Sequence, residues 1–173
     1  MSEYLNLTAG GVDFLSLPAG KITRYPLEAR DYRPFAQVQL ALSPDALHVR
    51  LLAFEAEPPA GSMLLLALEG GIVLPFSADE NGPVPAGQVR VERLRGEDLQ
   101  GIYWGVHAML PRAVLEERVG RVIRPGGVLR GNVLKICPSG ERRHFGCLFE
   151  SPPVWSAEEA GNARFGEWEA VDY

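Results

Sequence analysis

The strongest constraint in this chain is a period of two. In Val38-Gln39-Leu40-Ala41-Leu42, the residues Val38, Leu40 and Leu42 point one way. In Leu47-His48-Val49-Arg50-Leu51-Leu52-Ala53, the set Leu47, Val49, Leu51 and Ala53 shares a face, while His48 and Arg50 take the other. Between them Ser43-Pro44-Asp45-Ala46 reads as a turn, with Pro pre-setting φ and Asp bonding its own backbone. The two segments are therefore expected to form a hairpin with one buried and one wet face.

Further strands are expected over residues 62–68, 72–76, 88–94, 101–109, 128–137, 144–150 and 166–171. Breakers fall between them: Pro58-Pro59-Ala60-Gly61, Gly70-Gly71, Asn81-Gly82-Pro83, Pro125-Gly126-Gly127 and Pro138-Ser139-Gly140. One helix is expected, over residues 111–119, opened by Pro111 and closed by Gly120. It is too short to cover a parallel sheet. Many short strands with Gly/Pro turns point to an all-β, antiparallel β-sandwich with one short helix. No repeat or linker divides the chain, so residues 1–173 read as a single domain of ordinary size.

Composition narrows the class of function. The chain has 46% apolar residues and a formal net charge of -5, which argues against a general nucleic-acid binder. Of its 17 basic residues only Lys21 and Lys135 are lysines. The arginines cluster at Arg118, Arg121, Arg124, Arg130 and Arg142-Arg143, where pairing with the abundant Glu explains them better than an anion site does. The longest apolar run, Met63 to Leu68, stops at Glu69 and is far short of a membrane span. The start, Met1-Ser2-Glu3-Tyr4-Leu5-Asn6, has no basic and apolar leader pattern, so a cytoplasmic location is expected.

The two cysteines agree with a reducing compartment. If Cys137 faces His144 across a tight turn, Cys147 faces Leu134 and the sulfurs are offset. A disulfide needs Cα atoms within roughly 7 Å. Both are expected as free thiols in or near the core.

Catalytic and metal patterns are sparse. The three His residues include no i, i+4 pair, there is no C-x-x-C, and Cys137, His144 and Cys147 would need a fourth ligand from elsewhere, so no metal or other cofactor is expected. The glycine pairs do not open helices in a phosphate-loop pattern. There is no G-x-S-x-G elbow. A hydrolase would have to rely on a carboxylate pair such as Glu167 and Glu169, at strand spacing, and this is the weakest of the functional readings.

The aromatics carry more. Trp104, in the alternating set Ile102, Trp104, Val106 and Ala108, and Trp168, in line with Gly166 and Ala170, are expected in the core. Trp155 lies in Ser151-Pro152-Pro153-Val154-Trp155-Ser156, which has no strand pattern. Either it tucks under the sandwich, or it is exposed and offers a ring for stacking on the C–H face of a sugar. Near the same hairpin Arg130, Asn132 and His144 would supply hydrogen bonds to hydroxyls.

Several segments together resemble the carbohydrate-binding module family 9-like domains, which occur on glycan-degrading enzymes and as small stand-alone bacterial proteins. The early match runs from Tyr32-Arg33-Pro34-Phe35-Ala36 through the Ala46-Leu47-His48-Val49-Arg50 strand to Glu57-Pro58. The late match is Gly131-Asn132-Val133-Leu134-Lys135-Ile136, then His144-Phe145, then Phe165-Gly166, with Trp104 and Pro111 at the strand-to-helix step between them. The family often carries acidic positions where this chain has Gly61-Ser62-Met63-Leu64-Leu65-Leu66-Ala67-Leu68. The resemblance implies a jelly-roll-like sandwich and non-catalytic binding of a saccharide or polyol. The alternative is a cytoplasmic interaction or structural protein, with homo-oligomerisation open, that kept the fold without a sugar site.

Overall fold

The computed structural model describes residues 3–27, 32–82, 85 and 87–173; Met1, Ser2 and the expected breaker residue Pro83 lie outside them. The strands are β1 (Glu3–Leu7), β2 (Gly20–Ile22), β3 (Ala36–Leu42), β4 (Ala46–Ala53), β5 (Met63–Leu68), β6 (Ile72–Ser77), β7 (Arg90–Asp98), β8 (Gly101–Pro111), β9 (Val128–Cys137), β10 (His144–Cys147) and β11 (Gly166–Asp172). One helix, α1 (Arg112–Val119), follows β8. It ends where Gly120 adopts φ 84° and its N–H returns to the Glu116 carbonyl, a left-handed stop that favours glycine.

The strands hydrogen-bond in the order β6-β5-β9-β11-β1-β3-β4-β8-β7, with β10 also on β9 and β2 also on β3. The sheet curls so that its two halves face each other. Leu64, Leu66, Leu129, Val133 and Trp168 from one half meet Leu40, Leu42, Val49, Leu51, Trp104 and Val106 from the other in one core. The architecture is all-β and sandwich-like, as expected. It is mixed rather than wholly antiparallel, because β1 runs parallel to both β11 and β3.

The hairpin expected at the Ser43–Ala46 turn is present, with Leu42 opposite Leu47 and Ala36 opposite Ala53. On β8, Trp104 is buried, but Ile102 is half exposed. The reason is length: β4 reaches only as far as Trp104, so the first residues of β8 pair with β7 alone.

The sheet is covered on a second face as well. Leu65, Ala67, Leu134, Ile136, Phe145 and Cys147 pack under the segment that carries Val154 and Ala160. This explains why residues 63–68 are apolar without alternation: β5 is buried on both sides. The strand expected over residues 144–150 stops at Cys147, because the Phe149 N–H turns to the Asn132 side-chain oxygen at 3.0 Å. Cys137 opposes His144 and Cys147 opposes Leu134, and both thiols are free and buried. Among the described residues no helix is long and apolar enough to cross a membrane.

Candidate functional site

Strand β9 sorts the expected ligand residues by parity. Leu129 and Val133 face the main core, whereas Leu134 and Ile136 face the second cluster. Asn132 follows the second set. It is fully buried, its Nδ2 donates to the carbonyls of Phe149 and Arg164 (both 2.9 Å), and its Oδ1 accepts from the N–H groups of Val133 and Phe149. All its hydrogen-bonding groups are thus spent on tying down the covering segment. Arg130, two residues earlier, is exposed at the far end of the strand, where its backbone N–H meets Glu69.

His144 opposes Cys137 and faces the main interior, on the other side of the sheet from Asn132. Trp155 is half-buried against the second cluster, with Phe145 tilted beside it at 6.1 Å and the Arg143 guanidinium 3.8 Å above its ring. The open ring and the tucked ring expected for Trp155 are both partly realised. The structure therefore brings Asn132 and Trp155 into one outer layer and leaves Arg130 and His144 apart from it.

His144 belongs instead to a buried polar cluster. Lys135 Nζ lies 3.0 Å from Glu55 Oε1, 2.5 Å from Ser62 Oγ and 2.7 Å from His144 Nε2. Glu55 also accepts from Trp104 Nε1 (3.0 Å), Ser62 Oγ (2.8 Å) and, on its other oxygen, Tyr32 OH (2.7 Å). Burial pushes the Glu55 carboxyl up, but the Lys135 ammonium and the hydrogen bonds from Tyr32 and Trp104 outweigh it and hold it below the usual carboxylate range. Burial pushes Lys135 down, against the pull of Glu55.

The His144 imidazole is driven down to about 4, by burial first and the Lys135 charge second. A charged Lys135 donates to Nε2, so the proton of neutral His144 sits on Nδ1 and goes to the Arg142 carbonyl at 2.7 Å. Every member is satisfied internally. Among the described residues, every buried side-chain nitrogen and oxygen has a partner.

A second polar group lies on the outward face of β4, β8 and β7, where β4 alternation places His48 and Arg50. His48 Nδ1 is 3.0 Å from His107 Nε2, His48 Nε2 is 3.4 Å from Ser43 Oγ, and His107 Nδ1 is 4.0 Å from the exposed Glu92. The Ser43 hydroxyl donates to the Ala46 carbonyl at 3.2 Å, so His48 donates to Ser43 and accepts from His107. Burial holds both imidazoles below the ordinary histidine value, and His107 adds to the effect on His48.

Phe14 packs edge-on against His107 (5.1 Å) and under the Arg50 guanidinium (5.9 Å). It anchors the N-terminal segment over the sheet. Beside that segment opens a cleft of about 530 Å³, with residues 9–12 on one side, Gln88 and Arg90 on the other, and His48, Met109 and Pro111 within it. Among the described residues no group of three or more His, Cys, Asp or Glu is placed to hold a metal ion.

The alternation of β4 sets His48 on the wet face, but nothing local pairs it with His107. That contact depends on β4 and β8 meeting across more than fifty intervening residues.

No protein-family profile matches the chain, and neither does any curated protein. Solved structures do. A carbohydrate-binding module of family 9 from Caldicellulosiruptor kristjanssonii, in complex with glucose, superposes with a TM-score of 0.60 at 12% identity, over 99% of this chain and 97% of that one. A family 9 module from the same organism, in complex with cellotriose, gives 0.60 at 12% identity, over 99% and 95%. A protein from Bacteroides uniformis described as a candidate carbohydrate-binding protein gives 0.57 at 13% identity, over 98% and 100%. The chain therefore has the fold of family 9 carbohydrate-binding modules from end to end.

Proposed function

We propose that this protein is a non-catalytic carbohydrate-binding domain that takes a small saccharide or polyol. The observation that carries the reading is the near-full-length match to modules whose structures hold glucose and cellotriose. Fold alone does not fix a function, and the ligand-sized cleft on the sheet face adds a place for one. Binding rather than catalysis is supported by Glu167 and Glu169, which lie side by side on the exposed face of β11 instead of across a cleft. A reducing compartment is part of the same proposal, supported by the two unbridged thiols.

Stacking on Trp155 would require the Arg143 guanidinium to leave the ring, and contacts from Asn132 or His144 would break bonds that hold the interior.

The test is calorimetric titration with a panel of mono- and oligosaccharides, with tryptophan fluorescence in parallel. Trp104 and Trp168 are each 2% exposed, so a change in emission reports chiefly on Trp155. Saturable heat is expected. Flat traces across the panel at millimolar ligand would overturn the reading in favour of an interaction protein built on the same fold.

A further inference from the structure

Three side chains around the cleft beside the N-terminal segment are uncommitted. The Asp45 carboxylate, the Gln88 carboxamide and the Arg90 guanidinium all border it. None has a hydrogen-bond or ion-pair partner among the described residues, and all three are exposed. Arg124 and Arg164 share this lack of a side-chain partner among the described residues, but other arginines are committed. Arg93, Arg112, Arg118, Arg121, Arg142 and Arg143 each bond a backbone carbonyl.

The interior of the cleft differs from its rim. Ala46, Met109, Pro111 and Val12 present apolar surface, and His48 is fixed between Ser43 and His107. One acceptor-only group, one donor-only group and one amide with both capacities therefore surround a partly apolar hollow. That set matches the adjacent hydroxyls of a sugar ring, whose C–H faces need apolar contact.

We infer that this cleft is the saccharide site, and that it takes a compact, uncharged polyol of one or two rings. The inference rests on the carbohydrate reading above and gives it a place and a ligand class. Size sets the first limit: about 530 Å³ falls within the range of small-molecule sites. Lining sets the second. Among the described residues no Trp, Tyr or Phe borders the cleft, so they offer no row of stacking platforms for a long chain. Charge sets the third. Asp45 and Arg90 offset each other and His48 is neutral at pH 7, so an anionic ligand gains no net attraction.

Glycine makes the remaining wall. A Cβ at Gly10 or Gly11 would touch nothing within 4 Å, so there is open space beside the wall at these two positions.

The experiment compares titrations of glucose, cellobiose and glucuronate against the wild-type protein and three variants. Arg90→Ala with Gln88→Ala removes exposed rim groups without touching the core. Ala46→Trp fills the cleft, and Trp155→Ala leaves it intact. The expected result is binding of glucose or cellobiose that weakens roughly tenfold to a hundredfold in the rim variant, disappears in Ala46→Trp and survives in Trp155→Ala. The His48 imidazole resonances should shift on titration of the wild type. Should Ala46→Trp fail to fold, the rim variant and the His48 resonances carry the test.

Binding lost in Trp155→Ala but unchanged in the rim variant would overturn the cleft while leaving the carbohydrate reading standing. Glucuronate binding as tightly as glucose would overturn the ligand class. No wild-type binding to any of the three or to the wider panel would overturn the carbohydrate reading, and the cleft with it.

Discussion

Lys135 is one of two lysines in the chain, and it is fully buried. A lone ammonium in an apolar interior would lose its proton, but here Glu55, Ser62 and neutral His144 surround it. Removing one partner of such a pair leaves the other charged and unpaired. Lys135→Met should therefore cost about 3–5 kcal/mol in urea unfolding. The same cluster makes stability depend on pH. His144 titrates near 4 when folded and near 6.5 when unfolded. As pH falls below 6.5 the unfolded chain takes the proton first, so stability drops until about pH 4 and levels off for this group below that. The loss should reach roughly 3 kcal/mol. His144→Gln should flatten that part of the curve, measured as the difference between variant and wild-type urea midpoints from pH 7 to 4.

Alternation at this scale reads well from sequence and polar roles read poorly. The register that sets Cys137 opposite His144 and Cys147 opposite Leu134 follows from the turn alone. Whether a buried polar side chain serves a ligand or the backbone does not. His144 and Asn132 have the residue types of sugar contacts, but both spend their capacity within the fold.

Among elements, the segment of residues 148–165 shows how an irregular stretch is held without regular pairing. Asn132 supplies a side-chain amide where β10 stops, bonding backbone groups of Phe149 and Arg164. Asn132→Ala would leave those partly buried groups unpaired, at about 1 kcal/mol or more each. We expect a loss of at least 3 kcal/mol in thermal or urea unfolding, with greater protease sensitivity confined to residues 148–165. At α1 the cost is smaller: Gly120→Ala, forced to φ 84°, should lower stability by about 1 kcal/mol in the same assay.

The helix and β9 are legible because each has its own punctuation: Pro111 and Gly120 for the helix, Gly126-Gly127 and Pro138 for the strand. Strands β1 and β2 carry no such signal. Glu3–Leu7 buries the polar Asn6, whose amide donates to the Leu40 carbonyl, and Gly20–Ile22 has only three residues. β1 owes its form to β11 and β3, which pair with it on either side, and β2 to β3.

For the whole molecule, β1 is the join between the two halves of the sheet. It lies between β11 and β3, and without it each of those strands would present an open edge. Deleting residues 1–8 should abolish the single cooperative unfolding transition, as followed by near-ultraviolet circular dichroism against temperature. A shortened chain that still melts in one sharp step would show that the halves hold together without β1, through their facing side chains and the Arg24–Cys147 backbone bridge.

Because β1 and β11 run in the same direction, with Glu3 beside Trp168 and Leu7 beside Asp172, the chain enters this ladder at one pole and leaves it at the other. A pull applied at the two termini would drag the strands past each other in shear. The five paired positions would then have to yield together rather than unzip one at a time. The parallel ladder thus sets the protein's resistance to stretching in shear rather than in peeling.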